Sequence, residues 1–391
     1  MIYLDNAATT PILPEVRKAM EPYLTEEFGN PSSTHAMGQA AREAVENARK
    51  RIAAALSCSP DEVIFTSGGT EADNLAILGV VAASSRKSIV TTKIEHPAVL
   101  NTCAFLERMG YSVTYVGVDH RGILSLDELK AAVNDDTALV AVMSVNNEVG
   151  SIQPISEAAA IAHARGALFF TDAVQAIGHI PLCFSASPMD LLSLSGHKLG
   201  APKGVGALLA RRGTPLSPTL HGGGQERGLR SGTENVPAIV GLATAVELAV
   251  DSVTAGQLAR EQTAMLQVLL DSAREIPFTH VHHTPDSTVP GILNLCFEYL
   301  NGADLVSLLS AKGICVSSSS ACASGTGAPS HVLLAMGLSP DTARGALRIS
   351  LGRHNTLEEI QALCRILPRS VEMLRKQNPT YKKRKENQNH E

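Results

Sequence analysis

Several side chains in this 391-residue chain sit where chemistry is possible. Lys198 stands in Ser193–Gly206 (SLSGHKLGAPKGVG), after an apolar run and among small residues. A lysine held there can lose its proton and form a Schiff base with an aldehyde cofactor. It can equally be an ordinary surface lysine in a Gly-rich loop. Asp172 ends the apolar run of Phe169–Gln175 (FFTDAVQ), 26 residues before Lys198. A carboxylate at a strand end can pair with a pyridinium nitrogen and keep that ring an electron sink, or it can cap the next helix. In Thr66–Asn74 (TSGGTEADN) the backbone N–H groups of Gly69 and Thr70 fall at a helix start, a ready anion site. No G-K-[ST] follows, so this is not a P-loop, and its plain alternative is a helix capped by Ser67 or Thr70.

Three more residues complete the set. His96, in KIEHPAVL, follows an apolar strand and could stack on a planar cofactor and pass protons, though a lone His is more often structural. Cys322 lies in VSSSSACASGTGAPS (316–330), where nothing is bulky or apolar, unlike Cys296 in LNLCFEY. It reads as an exposed, reactive thiol on a mobile loop, the alternative being a tolerated surface Cys. Arg348 lies in ALRISLGR, a buried-looking strand, and needs an anionic partner. That partner is a substrate carboxylate held bidentately, or the carboxylate of a structural salt bridge. His280, His282 and His283 (HVHH) have no local carboxylate or Cys and are not read as a metal site.

The elements that must position these residues alternate. A helix is expected over Gly38–Leu56, with Ala41, Ala44, Val45, Ala48, Ile52 and Leu56 on one face. Short strands are expected at Glu62–Thr66, Ser88–Thr91, Val113–Val116, Ala138–Met143, Ala167–Thr171, Leu191–Leu194 and Gly206–Ala210, with helical segments between several of them. Such alternation predicts an α/β fold: a mostly parallel sheet with helices on both faces. Beyond about residue 257 the pattern changes to a helix at Gln257–Arg274, a strand at Ile292–Phe297 and helices at Ala303–Ala311 and Leu357–Leu374. This predicts a large domain over 15–257 and a smaller α+β domain made of 1–14 and 258–376, which carries the Cys loop (317–330). The polar stretch 377–391 is expected to be disordered. No internal repeat is present.

Composition narrows the function. The net charge of −5 offers no basic face for nucleic acid. No run approaches the ~18 uninterrupted apolar residues of a membrane helix, and MIYLDNAATTP lacks the features of a signal peptide. Seven scattered Cys without a C-x-x-C suggest reduced thiols in a cytoplasmic setting.

Together the motifs YLDNAATT, FGNPSS, SGGTEADN, EHPAV, VNNEVG, TDAVQ, SGHK, APKG, GGGQERGLRSGTEN, SSSSAC and LRISLGR resemble the cysteine desulfurases of the NifS/IscS type, over about residues 1–375. The resemblance implies fold type I of the pyridoxal 5'-phosphate (PLP) enzymes, with a mostly parallel seven-stranded sheet, and a homodimer with active sites at the subunit boundary. It implies that Lys198 holds PLP covalently, Asp172 pairs with the ring nitrogen and His96 stacks on the ring. Asn147 and Gln175 would touch the ring oxygen. Gly69, Thr70, Ser195 and His197 would bind the phosphate, with Thr233 reaching in from the neighbouring subunit. Arg348, with Asn147, would hold the substrate L-cysteine, and Cys322 would accept its sulfur as a persulfide. His96 is a further candidate for moving protons. Sulfur would pass to an acceptor or scaffold protein, with iron–sulfur cluster assembly the expected use. Two departures stand out: Ala201 replaces the commoner Gly of GPKG, and the loop after Cys322 is rich in Gly. A selenocysteine lyase would share these residues. A small-acid aminotransferase would not need Cys322, and a non-catalytic assembly subunit would need neither Lys198 nor Cys322.

Overall fold

The computed structural model describes residues 1–318 and 328–388. Its strands are β1 (Ile2–Tyr3), β2 (Val63–Thr66), β3 (Ser88–Thr92), β4 (Ser112–Val116), β5 (Thr137–Ala141), β6 (Leu168–Asp172), β7 (Leu191–Ser195), β8 (Gly206–Ala210), β9 (Thr279–His282), β10 (Ile292–Phe297), β11 (Ile314–Cys315) and β12 (Ala346–Ser350). The helices begin with α1 (Pro14–Thr25), α2 (Ala36–Ala55), α3 (Gly69–Ala83), α4 (Pro97–Arg108), α5 (Leu126–Ala132), α6 (Ile155–His163) and α7 (Val236–Ala255). They continue with α8 (Gln257–Arg274), α9 (Gly302–Ala311), α10 (His331–Ala335), α11 (Pro340–Arg344), α12 (Leu357–Arg375) and α13 (Pro379–Gln388).

Seven strands form one sheet in the order β2-β8-β7-β6-β5-β3-β4. The run from β7 through β6, β5 and β3 to β4 is parallel, and β8 runs antiparallel to both its neighbours. Strands β3, β5 and β7 are buried at every residue. Helices cover both faces of such a sheet, so these strands read as unbroken apolar runs and do not alternate. One face packs on α2, α6 and α7, the other on α3 and α4. Helix α7 is long and apolar enough to cross a membrane by length and composition. In this fold its Ile239, Leu242, Ala243, Val246 and Ala249 are buried in the core beside α1 and α2.

A second apolar core lies around the antiparallel sheet β12-β10-β9 and helices α8, α9 and α12. The N-terminal segment joins it: β1 pairs in parallel with β11, and Leu4 is fully buried there. A few residues on, Ala7 and Leu13 belong to the core of the large sheet. The first dozen residues therefore bridge the two cores.

One expectation fails. Residues 379–388 form helix α13 where disorder was expected. Composition misjudges this stretch because a few specific tertiary contacts anchor it. Tyr381 is 6% exposed, donates its hydroxyl to Glu372 Oε2 at 2.8 Å, and meets Phe278 edge-on with ring centroids 6.2 Å apart. Asn378 starts the helix by accepting from Thr380 N at 2.9 Å, while its Nδ2 donates to Tyr299 O at 3.1 Å. Beneath them the buried Arg375 donates to the carbonyls of Pro277, Phe278 and Glu298 at 2.7–2.9 Å. That satisfies the backbone where Phe278 and Tyr299 adopt left-handed φ angles of 53° and 68°. Tyr381→Ala should cost about 2–4 kcal/mol through lost ring burial, read as a lower Tm by calorimetry. An unchanged Tm would show that α13 adds nothing to the fold.

Candidate active site

The parallel strands all end at one edge, and the loops leaving that edge carry the chemistry, as in open α/β sheets generally. Strand β3 leads to Glu95 and His96, β5 to Asn146–Glu148, β6 ends on Asp172, and β7 ends on Ser195 just before the turn Gly196–Lys198. At the same edge β2 opens through Gly68 into α3. Gly68 has φ of 155°, and a side chain added at Gly69 would lie 2.8 Å from Val174 Cγ2 and 3.4 Å from Ser195 Cβ. Glycine is what lets the start of α3 approach β7.

Asp172 is 5% exposed and its Oδ1 accepts from Val174 N at 2.9 Å. Burial raises its pKa, and the neighbouring His96 and Lys198 oppose that rise. His96 caps α4, with Nδ1 accepting from Ala98 N at 3.1 Å, so the neutral ring carries its proton on Nε2. Burial lowers its pKa and favours that neutral form, against the pull of Asp172. Lys198 donates Nζ to Ala7 O at 2.5 Å and Ala8 O at 2.8 Å. Gln175 Nε2 donates to the same Ala7 carbonyl at 2.9 Å. His197 meets Thr9 Oγ1 through Nδ1 at 3.2 Å, and burial lowers its pKa to about 4, with Lys198 adding to the effect. His96, Asp172, Lys198, Gln175, His197, Ser195 and Gly69 thus converge on one edge, with Thr70 exposed in the first turn of α3.

Arg348 stands at one corner of this edge, beside Asn147. Its Nη2 pairs with Asp5 Oδ1 at 2.8 Å and its Nη1 donates to Asn147 O at 2.9 Å, while its buried Nε has no hydrogen-bond partner among the described residues. Of the two sequence readings of Arg348, the salt bridge is present. Thr233 is exposed and lines a cavity with Thr66, Ser67, Gly204 and Arg230. Cys322 lies outside the described residues. The imidazoles of His280 and His283 have separate partners, Glu298 at 2.8 Å and Thr288 at 2.7 Å, and no cluster of three metal-ligating groups occurs among the described residues.

Sequence reasoning missed several participants. Asp5 and the Ala7 and Ala8 carbonyls come from an N-terminal segment whose motif gave no role to any single residue. Asp73 is fully buried on α3, with Oδ1 accepting from Ser193 Oγ at 2.5 Å. Its pKa is raised by burial first and by the charge of Asp172 next. Glu95 is 1% exposed and accepts from Thr92 Oγ1 at 2.7 Å and from Met143 N at 3.0 Å. The signal available was a carboxylate directly before His96 in a segment that must be buried.

The residues fit a phosphorylated, cationic ring. The start of the 15-residue α3, with Ser195 and His197 nearby, supplies donors for a phosphate. A buried carboxyl that burial alone drives toward protonation is matched to a ring N–H⁺.

Residues 2–363 match the family model described as Aminotransferase class-V. The chain belongs to the class-V aminotransferase family. It is 48% identical over 380 residues to the cysteine desulfurase IscS of Methanosarcina thermophila, covering 97% of this chain and 94% of that relative. It is 47% identical over 382 residues to a cysteine desulfurase of Trichormus azollae, covering 97% and 95%. Among solved structures it is similar to a NIFS-like protein, at a TM-score of 0.89 and 40% identity over 95% of this chain and all of that one. It is also similar to SspA in complex with cysteine, at 0.79 and 36% over 91% of this chain and all of SspA. The class-V membership agrees with the observed sheet order and with the α/β expectation.

Glu95 gives a test of this edge in solution. Burial raises its pKa from 4.5 to about 8, so the folded chain binds a proton that the unfolded chain releases above 4.5. The stability it contributes is full below about pH 4.5 and is lost as pH rises toward 8, by up to about 1.4 kcal/mol per unit. Glu95→Gln removes that loss. The Tm of the variant relative to the parent should therefore climb between pH 5 and pH 8, and parallel melting curves across that range would refute the buried, protonated Glu95.

Proposed function

We propose that this class-V protein is a PLP-dependent cysteine desulfurase that converts L-cysteine to L-alanine and takes the sulfur onto Cys322. One observation carries the assignment of Cys322. Ser317 exchanges backbone hydrogen bonds with Arg348 at 2.7 and 3.1 Å. Cys322 follows Ser317 by only five residues in the sequence, a chain length of at most about 17 Å. That short separation supports reading Cys322 as the thiol that serves the corner where a substrate carboxylate would be held.

When bound, PLP supplies an aldehyde for the substrate amine and a ring that draws electrons from Cα. The start of α3 (Gly69, Thr70), Ser195 and His197 would hold its phosphate, Asp172 its ring nitrogen, and Gln175 and Asn147 its ring oxygen, and His96 would contact the ring. Arg348 receives the substrate carboxylate through the donor left unspent beside Asp5. Lys198 takes the Cα proton at Nζ, its approach direction set by the carbonyls of Ala7 and Ala8. The Cys322 thiolate then attacks the substrate sulfur. An S–S bond forms as the carbon–sulfur bond breaks, and the electron pair left on the carbon collects a proton, so alanine leaves and a persulfide stays. His96, neutral and carrying its proton on Nε2, is placed to return a proton.

The chain divides between a large domain over 15–257 and a small one over 1–14 and 258–376. The enzyme works as a homodimer, with Thr233 completing the phosphate site of the neighbouring subunit. The persulfide passes to an acceptor or scaffold protein for iron–sulfur cluster assembly, in the cytoplasm. The six free thiols among the described residues are compatible with that reducing setting.

Cys322→Ser should abolish persulfide formation and turnover while leaving PLP bound to Lys198 and the spectral response to L-cysteine intact, because only the acceptor thiol is lost. Mass spectrometry of the parent after L-cysteine should find one added sulfur on the peptide bearing Cys322, and borohydride should fix the cofactor on Lys198. Full turnover in the variant, or added sulfur on Cys296 or Cys315, would overturn the assignment.

A further inference from the structure

Glu148 is 5% exposed, and the chemistry above gives it no task. Its Oε2 accepts from Ser330 Oγ at 2.5 Å. Its backbone carbonyl accepts from Asn294 Nδ2 at 3.2 Å, and the carbonyl one residue earlier, of Asn147, accepts from Arg348 Nη1 at 2.9 Å. Asn294 and Arg348 are register partners on β10 and β12. Asn146 stiffens the turn: Oδ1 accepts from Glu148 N at 2.9 Å and Val149 N at 3.0 Å, and Nδ2 donates to Ile94 O at 2.9 Å.

Ser330 caps α10 by accepting from Leu333 N at 3.3 Å. The first residue of that helix, His331, donates Nε2 to Glu95 O at 3.0 Å, next to His96. Val332 and Leu333 pack with Ile94, Met143, Val149 and Cys296. The start of α10 is therefore tied to the His96 segment through His331 and to the Arg348 turn through Glu148. Burial pushes the Glu148 carboxyl up to about 7. An apolar side chain of the same size would avoid that desolvation cost, so stability alone does not account for a carboxylate here.

We propose that Glu148 is a positioning residue for sulfur transfer. It holds Ser330 while its own turn receives Arg348, and so fixes the start of α10 relative to the substrate carboxylate. The proposal rests on reading Cys322 as the sulfur acceptor. Ser330 follows Cys322 by eight residues in the sequence and caps α10, the next helix among the described residues.

The test uses the holoenzyme. Glu148→Ala, Glu148→Gln and Ser330→Ala are compared for kcat and KM with L-cysteine, for persulfide on Cys322, and for the rate at which iodoacetamide alkylates Cys322 without substrate. Glu148→Ala should lower kcat about tenfold while KM changes less than about twofold, since the carbonyls that receive Arg348 and Asn294 remain. It should also raise the alkylation rate of Cys322. Glu148→Gln keeps an acceptor for Ser330 and should restore both values, and Glu148→Ala with Ser330→Ala should be no worse than Glu148→Ala alone. If Glu148→Ala does not fold, Ser330→Ala against Ser330→Thr carries the same comparison, because Thr keeps the hydroxyl. Parental kcat and alkylation rate in Glu148→Ala, or a loss confined to KM, would overturn the proposal. Absence of sulfur on Cys322 in the parent would sink the functional reading, and the alkylation rates would still decide whether Glu148 positions this segment.

Discussion

A carboxylate removed from water must find a cation or take a proton, and Asp172 at the end of β6 imposes that choice on the whole edge. Burial favours the proton, while His96 and Lys198 pull the other way. His96 cannot answer with a permanent charge, because burial keeps its ring neutral and its Nδ1 is spent on the helix cap. On the proposed reading, a ring nitrogen carrying N–H⁺ would answer that demand. The same sheet that buries Asp172 brings Lys198 to the adjacent strand end, so the positions of the two side chains are set by one register between β6 and β7.

The N-terminal segment solves a second problem. Lysine and arginine both bring charge to a site where two cores meet. Within a few residues, Asp5 pairs with Arg348 and the Ala7 and Ala8 carbonyls receive Lys198. Residues 4–8 are thus bound to β12 of one core and to the end of β7 of the other. Leu4 and Ala7 are buried in those two cores respectively. Mispositioning this short stretch would disturb the carboxylate corner and the lysine together.

Periodicity and strand–helix alternation made the large sheet legible, because every central strand is an apolar run long enough to announce itself. The expected strands Gly206–Ala210 and Ile292–Phe297 and helix Gln257–Arg274 match the observed bounds, and the other expected elements differ by one or two residues at one or both ends. Helix α13 was not legible. Its residues are polar almost throughout, and what orders it is a few contacts, chiefly Tyr381 and Arg384 meeting Phe278 and Tyr299, which lie far away in sequence. In the site, residues at strand ends could be read because their types are unusual in their settings: a lysine among glycines, an aspartate closing FFTD. Asp5, Asp73, Glu95 and Glu148 could not, because an acidic residue in a sequence looks solvated until tertiary structure buries it.

Those four residues share a physical logic with the residues they support. Asp73, Glu95 and Glu148 have their carboxyls pushed upward chiefly by burial, and each is held by hydroxyl or backbone donors. No lysine or arginine pairs directly with any of the three among the described residues. A neutral, hydrogen-bonded carboxyl fixes geometry without adding a charge. That matters here, because a second full negative charge beside Asp172 would compete for the same cation. Asp5, which does pair with an arginine, is less buried than the other three. The edge therefore keeps the Asp5–Arg348 pair where water can share it, and uses buried, hydrogen-bonded acids to hold the loops around Asp172.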